Sequence, residues 1–380
     1  MREPDLTPSA RERWLLFRNR WLADPLFQRW SMQLPLLRGV ASRHATAMFG
    51  VITGFVYTKT LTAAVDAGVI AALAAAPATT QALADAARLE AGAMARLLAA
   101  AQAIDLVEPL PGDRWTLGQR GAALANNHGA LAMIEHHKLF YDDLADPLAM
   151  LRQGRGGGKL ADFWSYAGPA GRGEPARGGA DDPAAAAYSA LMAASQPMVA
   201  EQVLAAHDFG RYRQLLDIGG GHGGFVAAVA AANPALALAI FDLPPVAAAA
   251  RGVLAARGLA SVAVHGGSFR DDPLPADADV MTLVRILHDH DDAVVAALLA
   301  KIRAALPRGG RLLIAEPMAG TRGAKAMGDA YFGLYLWAMG SGRPRTAEAY
   351  RAMLRAAGFA RVREIRSDLP MVTRILLAER

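Results

Sequence analysis

The C-terminal half of the chain alternates between two hydrophobic patterns. From Tyr212 onward, short apolar runs typical of buried strands are followed by longer segments with apolar residues at helical spacing. This alternation is typical of an α/β fold with a doubly wound, Rossmann-like parallel sheet. It predicts strands at 213–218, 236–241, 261–264, 279–285 and 310–315, with helices at 224–232, 245–257 and 293–306.

The C-terminus departs from this alternation. A helix predicted at 346–357 is followed by strands near 361–366 and 372–378. The link between these two strands is too short for a helical crossover, so we expect an antiparallel hairpin at the end of a mostly parallel sheet.

The N-terminal half predicts a winged-helix arrangement. Helical patterns at Ala63–Ala75, Thr79–Ala87 and Ala91–Ala103 precede a hairpin around Pro111-Gly112. A winged helix can bind DNA, but the third helix carries Arg96 as its one basic residue. We therefore expect a packing or dimerisation module without nucleic acid, and keep a DNA-binding regulator as a distant alternative.

These patterns divide the chain into three regions. We expect a basic aromatic N-terminal arm at 1–45, a winged-helix or helical dimerisation domain at 46–183 with a Gly-rich loop at 152–183, and a ligand-binding α/β domain at 184–380. Residues 1–45 contain eight arginines and only four acidic residues, interleaved with aromatic residues such as Trp14, Trp21 and Trp30. The arm could rest as a peripheral contact on an anionic membrane surface, or pack on its own or a partner subunit.

Composition excludes some classes of protein. The 380 residues contain no cysteine, which excludes disulfides and thiolate metal sites and fits a cytoplasmic location. Every apolar run of membrane-spanning length is interrupted by proline or polar residues, so we expect no membrane span. The charged N-terminus, with Arg2, Glu3 and Asp5, does not resemble a secretory signal.

A glycine-rich turn follows the first strand of the α/β region. Gly219 and Gly221 lie in D-I-G-G-G-H-G-G, Asp217 stands two residues before Gly219, and Asp242 ends the next strand. Glycines allow a tight turn close to a ligand, and an acidic residue at that strand end suits a ribose diol. The pattern predicts an adenosine-containing cofactor. The same glycines also satisfy the dinucleotide motif, which leaves an NAD(P)-dependent oxidoreductase as an alternative. The position of Asp217 and the C-terminal hairpin favour S-adenosylmethionine.

Two further strands end in charged or titratable residues at the same edge of the predicted sheet. One strand runs into Arg285 and then His288-Asp-His-Asp-Asp292, and the next ends at Glu316. Neighbouring residues of a tight turn cannot all aim at one ion, so we expect no metal. We expect Asp289, Asp291 or Asp292 to cap the following helix, and a histidine to act as general base.

These motifs together resemble the class I O-methyltransferases of the caffeate and acetylserotonin type. The resemblance rests on D-x-G-G-G-x-G, F-D-L-P, R-x-L-H-D and G-G-R-L-L-I-A-E, and covers the chain from about Ala45 onward. The arm, Y-S-A-L-M-A-A-S-Q-P-M-V-A-E-Q-V-L and L-Y-L-W-A-M-G-S-G-R-P-R more narrowly resemble bacterial carotenoid O-methyltransferases of the hydroxyneurosporene and demethylspheroidene type. The resemblance implies S-adenosylmethionine, a homodimer and a hydroxylated acyclic carotenoid. A phenol, a polyketide or a bacteriochlorophyll precursor remains the alternative substrate.

The resemblance also implies roles for individual residues. His288 would be the base, oriented by Glu316. Three departures from the family pattern are Ser268 in place of Asp, Pro344 in place of a Glu that assists the base, and His290 in place of Trp, which makes His290 a rival base. The residues expected at the cofactor are Asp217, Gly219, Gly221, Asp242, Ser268, Phe269 and Arg285. Those expected to line an apolar substrate tunnel are Met192, Gln196, Trp164, Trp337 and Met339, with Phe163 and Tyr335, although each could equally be ordinary core.

Overall fold

The computed structural model describes residues 8–163 and 183–380; in the segment that resumes at 183, the side chains of 183–190, 192 and 193 are not described. The chain divides into two compact units, residues 1–126 and 127–380. The sequence pattern places the boundary between the helical domain and the α/β domain at 183/184. Helices between 128 and 163 belong to the second unit because they pack on helices of that unit.

The first unit is mainly helical. The predicted helix at Ala91–Ala103 and the hairpin around Pro111-Gly112 are confirmed, and the hairpin extends to a three-stranded sheet of order β1-β3-β2. The helices are α1 Ala10–Ala23, α2 Pro25–Gln33, α3 Pro35–Asp66, α4 Val69–Ala75, α5 Thr80–Ala87, α6 Ala91–Ala103 and α7 Gln119–Ala125; the strands are β1 Ala78–Thr79, β2 Val107–Leu110 and β3 Arg114–Leu117.

Helix α3 is long and carries an exposed apolar surface. Among the described residues, it is the one helix long and apolar enough to cross a membrane by length and composition, and little of its apolar window is buried. The criterion of an uninterrupted apolar run does not detect this helix, because Arg38, Arg43 and Lys59, together with small polar residues, interrupt it. Apolar side chains exposed along it include Met48, Phe49, Val51, Ile52, Phe55 and Val56.

The second unit contains the predicted α/β sheet. Its order is β6-β5-β4-β7-β8-β10-β9; β4 to β8 run parallel, and β10 pairs antiparallel with both β8 and β9. The parallel sheet and the antiparallel C-terminal hairpin are therefore confirmed. The strands are β4 Gln214–Ile218, β5 Ala237–Asp242, β6 Ala263–Gly266, β7 Val280–Val284, β8 Arg311–Glu316, β9 Arg361–Ile365 and β10 Arg374–Glu379.

Helices cover the sheet and extend beyond the carboxyl ends of its strands. Apolar cores lie on both faces of the sheet, as expected for central strands buried on both sides. The helices are α8 His128–Asp143, α9 Pro147–Gln153, α10 Lys159–Phe163, α11 Pro183–Ala206, α12 Gly224–Ala232, α13 Pro244–Ala256, α14 Asp292–Ala305, α15 Phe332–Met339 and α16 Ala347–Ala356, with a 3-10 turn Leu287–Asp289 and a π-helix Ala326–Tyr331.

Candidate active site

The glycine turn after β4 has the conformation that its sequence predicts. Gly219 and Gly221 have φ of +72° and +56°, in the left-handed region that favours glycine. A Cβ at Gly219 would collide with the side chain of Ile286, so only glycine lets the turn approach the end of β7. Asp242, at the end of β5, holds the turn from the other side. One of its carboxylate oxygens accepts from the N–H of Gly221 at 2.7 Å, and the other accepts from that of Leu243 at 2.7 Å.

Asp217 lies beneath this turn. Its side chain is buried and accepts a hydrogen bond from the hydroxyl of Thr282 at 2.6 Å. Burial raises the pKa of Asp217 to about 7, against the opposing effect of the Thr282 hydrogen bond. Burial likewise raises the pKa of Asp242, partly offset by its two backbone hydrogen bonds. The Thr282 hydrogen bond joins β4 to β7 beneath the turn, and burial favours the uncharged form of the Asp217 carboxyl.

The turn after β6 carries two more of the residues expected at the cofactor, Ser268 and Phe269. The Ser268 hydroxyl donates to Asp271 at 3.0 Å, and its backbone N–H donates to Asp272 at 2.8 Å. The Phe269 ring meets the edge of His290, with centroids 5.2 Å apart. Lys301 stabilises this turn by donating to the carbonyls of Phe269 and Arg270.

Helix α11 passes beside the glycine turn. Gln196 lies against Gly224, where a Cβ would come within 3.3 Å of its side chain. The neighbouring Ser195 hydroxyl accepts from Arg285 at 2.6 Å. Arg285 itself has φ +60°, an uncommon conformation for a residue with a side chain. The side chain of Met192 and the whole of Trp164 lie outside the described residues.

His288 is held by Glu316. Its Nδ1 lies 2.5 Å from Oε2 of Glu316, and both side chains are buried. The other carboxylate oxygen accepts from the N–H groups of Ile286 and Leu287 at 2.8 and 2.6 Å. Glu316 therefore fixes both the 3-10 turn and the imidazole carried on it.

A second carboxylate, missed by sequence reasoning, contacts the other ring nitrogen. Oδ1 of Asp289 lies 3.1 Å from Nε2 of His288. Burial on its own would lower the pKa of His288, but Asp289 and Glu316 outweigh that effect and raise it. The pair thus stabilises the imidazolium form.

His290 has a different environment. Its Nδ1 lies 3.4 Å from Arg270, and burial together with the charge of Arg270 lowers its pKa to about 4. Its ring packs on Phe269, whereas that of His288 packs against Phe332 at 5.8 Å. The two histidines, two positions apart, therefore face different surroundings.

Asp291 stands at the expected cap position of α14, but its side chain is used elsewhere. Asp291 is the N-cap residue of α14, but its side chain makes no cap hydrogen bond. Its carboxylate instead accepts from the N–H of Gly342 and from Arg155, at 3.1 and 3.0 Å. Asp292 lies in the first turn and binds Arg343 and Arg345. The predicted cap position and the acidic first turn, which complements the helix dipole, are therefore confirmed, whereas both carboxylates bind tertiary partners and not the N–H groups of the helix.

The loop after α15 closes over the His288 turn. Arg343 N–H donates to the His288 carbonyl at 3.0 Å, and a Cβ at Gly342, with φ +77°, would collide with that carbonyl. The buried guanidinium of Arg345 donates to the carbonyls of Leu287 and His290, each at 2.7 Å. Pro344 therefore lies between two residues that position the turn. Sequence reasoning did not identify Arg345, because a single arginine in a loop carries no local signal.

An aromatic cluster extends from His288 to α8. Phe332 contacts His288 and Tyr331, with ring centroids 5.8 and 4.9 Å apart. The Tyr331 hydroxyl lies 2.8 Å from Nε2 of His137, and the Tyr335 hydroxyl 2.6 Å from Nε2 of His136. A π-helix, a form that is frequent at functional sites, ends at Tyr331. Two of the residues expected to line a tunnel, the half-buried Trp337 and the buried Met339, pack within this cluster, as do Phe163 and Tyr335.

The comparisons with known proteins agree with this site. Residues 141–360 match the model of the O-methyltransferase domain. The chain is 41% identical to demethylspheroidene O-methyltransferase of Cereibacter sphaeroides, over 93% of this chain and 92% of the relative. It is 42% identical to the enzyme of the same name from Rhodobacter capsulatus, over 92% of this chain and 85% of the relative.

Solved structures share the fold. The mitomycin 7-O-methyltransferase structure has a TM-score of 0.71 at 26% identity, covering 90% of this chain and 99% of that one. Human N-acetylserotonin methyltransferase, solved in complex with S-adenosylmethionine, has a TM-score of 0.72 at 22% identity, with coverage of 89% and 97%. These findings decide against the oxidoreductase alternative. The chain belongs to the O-methyltransferase family, and its methyl donor is S-adenosylmethionine.

Proposed function

We propose that the enzyme methylates a hydroxyl of a hydroxylated acyclic carotenoid, with His288 as the general base. The carrying observation is the imidazole of His288, bound to Glu316 at 2.5 Å, at the edge of the sheet where the glycine turn and Asp242 also lie. The substrate class is supported by two demethylspheroidene O-methyltransferases that match this chain along nearly its whole length.

The residues around the glycine turn suit the cofactor. Gly219 and Gly221 bring backbone close to a ligand, and Asp242 places a half-buried carboxylate beside them for a ribose. Ser268 and Phe269 would lie at the adenine end, and Arg285 and the loop above Asp217 at the amino-acid end. S-adenosylmethionine supplies a methyl group on a positively charged sulfur when bound.

His288 is equipped to take a proton from the substrate hydroxyl. With Nδ1–H donated to Glu316, the lone pair of Nε2 accepts the proton. An alcohol, taking water at ~15.7 as a guide, is roughly 9 pKa units weaker as an acid than imidazolium at ~6.5, or about 12 kcal/mol. The hydroxyl therefore loses its proton as the new carbon–oxygen bond forms, not before.

Asp289, the acid of the R-x-L-H-D motif, provides a second carboxylate at the base. The family resemblance implies a Glu that assists the base at the position of Pro344, and proline carries no acid. In this chain the second carboxylate at the imidazole belongs to Asp289, 3.1 Å from Nε2. As His288 gains its proton, this carboxylate stabilises the new positive charge.

The aromatic cluster beside His288 is suited to a hydrocarbon substrate. Phe332 contacts the base directly, and Trp337 and Met339 lie deeper in the same cluster. The buried indole N–H of Trp337 has no hydrogen-bond partner among the described residues. We assign Met192, Gln196, Trp164, Trp337 and Met339 to the substrate channel.

A methyl-transfer assay tests this assignment. Purified protein is incubated with S-adenosylmethionine labelled in its methyl group and, separately, with hydroxylated acyclic carotenoids, a phenol panel, polyketides and bacteriochlorophyll precursors. We expect the label in the carotenoid, with a mass gain of one methylene. Label in a phenol but not in the carotenoid would contradict the substrate class and leave O-methyl transfer intact.

We also propose that the enzyme is a cytoplasmic homodimer. The apolar surface of α3, with Phe49, Ile52 and Phe55 exposed, is larger than isolated surface apolar residues and suits a second copy. Light scattering on the eluting protein should give the mass of a dimer. The variant F49S/F55S should give a monomer, whereas an unchanged mass would place the interface elsewhere.

A further inference from the structure

The first two helices carry a continuous row of aromatic rings. Along α1 and α2, Trp14, Phe17, Trp21, Phe27 and Trp30 contact one another in sequence, with centroids 5.4 to 6.2 Å apart. Four of the five are exposed, from 60% for Trp14 to 48% for Trp21. No residue of α1 is buried. The row therefore contributes little to the core of its own unit.

Arginines surround this row. Arg11, Arg13, Arg18, Arg20 and Arg29 are exposed on the same two helices. Within the described residues, none of them forms an ion pair; Arg13 and Arg29 donate to backbone carbonyls, and Arg18 to Asn19. The acids of these helices are used at helix starts: Glu12 lies in the first turn of α1, and Asp24 caps α2.

Exposed tryptophans flanked by arginines that have no ion pair within residues 8–163 and 183–380 match the headgroup region of a bilayer. Indole rings favour the interface between hydrocarbon and water, and each basic residue near an anionic surface adds about 1 kcal/mol. The aliphatic part of arginine can lie along the apolar layer while its guanidinium reaches phosphate. This reach explains how α1 can bind a lipid surface although its arginines do not lie on one side of the helix.

We propose that α1 and α2 bind the headgroup region of an anionic lipid bilayer. A second copy is a poorer occupant of this surface, because pairing α1 and α2 with themselves would place arginines against arginines. The apolar surface of α3 around Phe49, Ile52 and Phe55 is the better site for self-association. The inference does not depend on the carotenoid substrate, although it would bring the enzyme to the phase in which such a substrate dissolves.

Vesicle binding by the full-length protein tests the proposal. Cosedimentation is measured with phosphatidylcholine vesicles, with and without phosphatidylglycerol, at low and high salt. We expect binding to the anionic vesicles, at least about tenfold weaker binding to the neutral ones, weakening by salt, and a blue shift of tryptophan fluorescence.

Variants separate the arm from the overall charge. R11Q/R18Q/R20Q should bind anionic vesicles roughly 100-fold more weakly, the loss expected for three basic contacts. The matched control R257Q/R308Q/R322Q removes three exposed arginines of the second unit and should bind like the wild type. W14S/W21S/W30S should lose binding and the fluorescence shift.

Three outcomes would overturn the proposal. An equal loss of vesicle binding in R11Q/R18Q/R20Q and in the control R257Q/R308Q/R322Q would mean nonspecific attraction of a basic protein. Unchanged binding in both arm variants would place the contact elsewhere. No vesicle binding by the wild type, with a lower oligomeric mass for W14S/W21S/W30S, would identify a second copy as the occupant.

Discussion

Nδ1 of His288 and Oε2 of Glu316 are 2.5 Å apart, in a pair formed by the turn after β7 and the last residue of β8. The same Glu316 accepts from two backbone N–H groups of the turn. One carboxylate thus holds both the backbone of the turn and Nδ1 of the imidazole that the turn carries.

Removing the base should separate turnover from cofactor binding. We expect H288A to lower kcat by about 10²- to 10⁴-fold, the usual contribution of a general base, while the Kd for S-adenosylhomocysteine stays near the wild-type value. H290A should cost much less. Single-turnover kinetics and calorimetry measure the two quantities. A severe loss in H290A with near-normal turnover in H288A would assign the base to His290.

Removing the second carboxylate should change the pH profile. Asp289 helps to raise the pKa of His288, and activity is lost as pH falls through that pKa because the base becomes protonated. In D289N the acidic limb of kcat/KM should therefore move to lower pH, with a reduced plateau. The exposed D277N is the control and should leave the limb unchanged. An unchanged limb in D289N would mean that Asp289 does not act on His288 during turnover.

The glycine turn should tolerate no side chain at its first position. G219A requires φ +72° from a residue with Cβ and forces that Cβ into Ile286. We expect at least about tenfold weaker binding of S-adenosylhomocysteine and a lower Tm. G252A makes the same substitution within α13, where no described atom lies within 4 Å, and should be neutral or stabilising. Wild-type affinity in G219A would exclude this turn as the cofactor loop.

Two neighbouring arginines should differ sharply in their effect on stability. R345M leaves the carbonyls of Leu287 and His290 without their donor, and each unsatisfied buried group costs about 1–3 kcal/mol. R343M breaks an ion pair between side chains about half exposed, worth about 0–1 kcal/mol. Urea unfolding should show that the free energy of unfolding falls by at least about 2 kcal/mol in R345M and not in R343M. Equal losses would mean that the buried arginine does not hold the turn.

The same cluster predicts a stability that depends on pH. Hydrogen bonds from Arg343 and Arg345 lower the pKa of Asp292 to about 2. A lowered pKa contributes stability above the unfolded value, and this contribution is lost as pH falls from about 5 towards 2. The difference in urea midpoint between wild type and D292N should therefore shrink over that range. A constant difference would contradict the ion pair.

Much of the fold could be read from local patterns. Short apolar runs predicted the strands and helical spacing predicted the helices between them. The short link before 372 predicted the antiparallel hairpin. Each pattern depends on residues close in sequence. The glycine turn and Asp242 were predicted for the same reason: backbone conformation and strand ends are local properties. The apolar character of α3 was missed because charged and small polar residues interrupt its sequence, whereas its mean hydropathy over a full window is high.

What the sequence by itself determined is the order of strands and helices, the glycine turn, and the presence of a histidine and a glutamate at strand ends. Only the tertiary structure decided which groups meet. His136 and Tyr335 are 199 residues apart and share a hydrogen bond. The Asp291 carboxylate accepts from the N–H of Gly342 and not from the helix that it precedes. It also distinguished the two histidines by their partners: His288 contacts two carboxylates, whereas His290 lies beside an arginine. The physical reason is that a side chain's partners, and with them its pKa, depend on distant segments whose arrival no local pattern encodes.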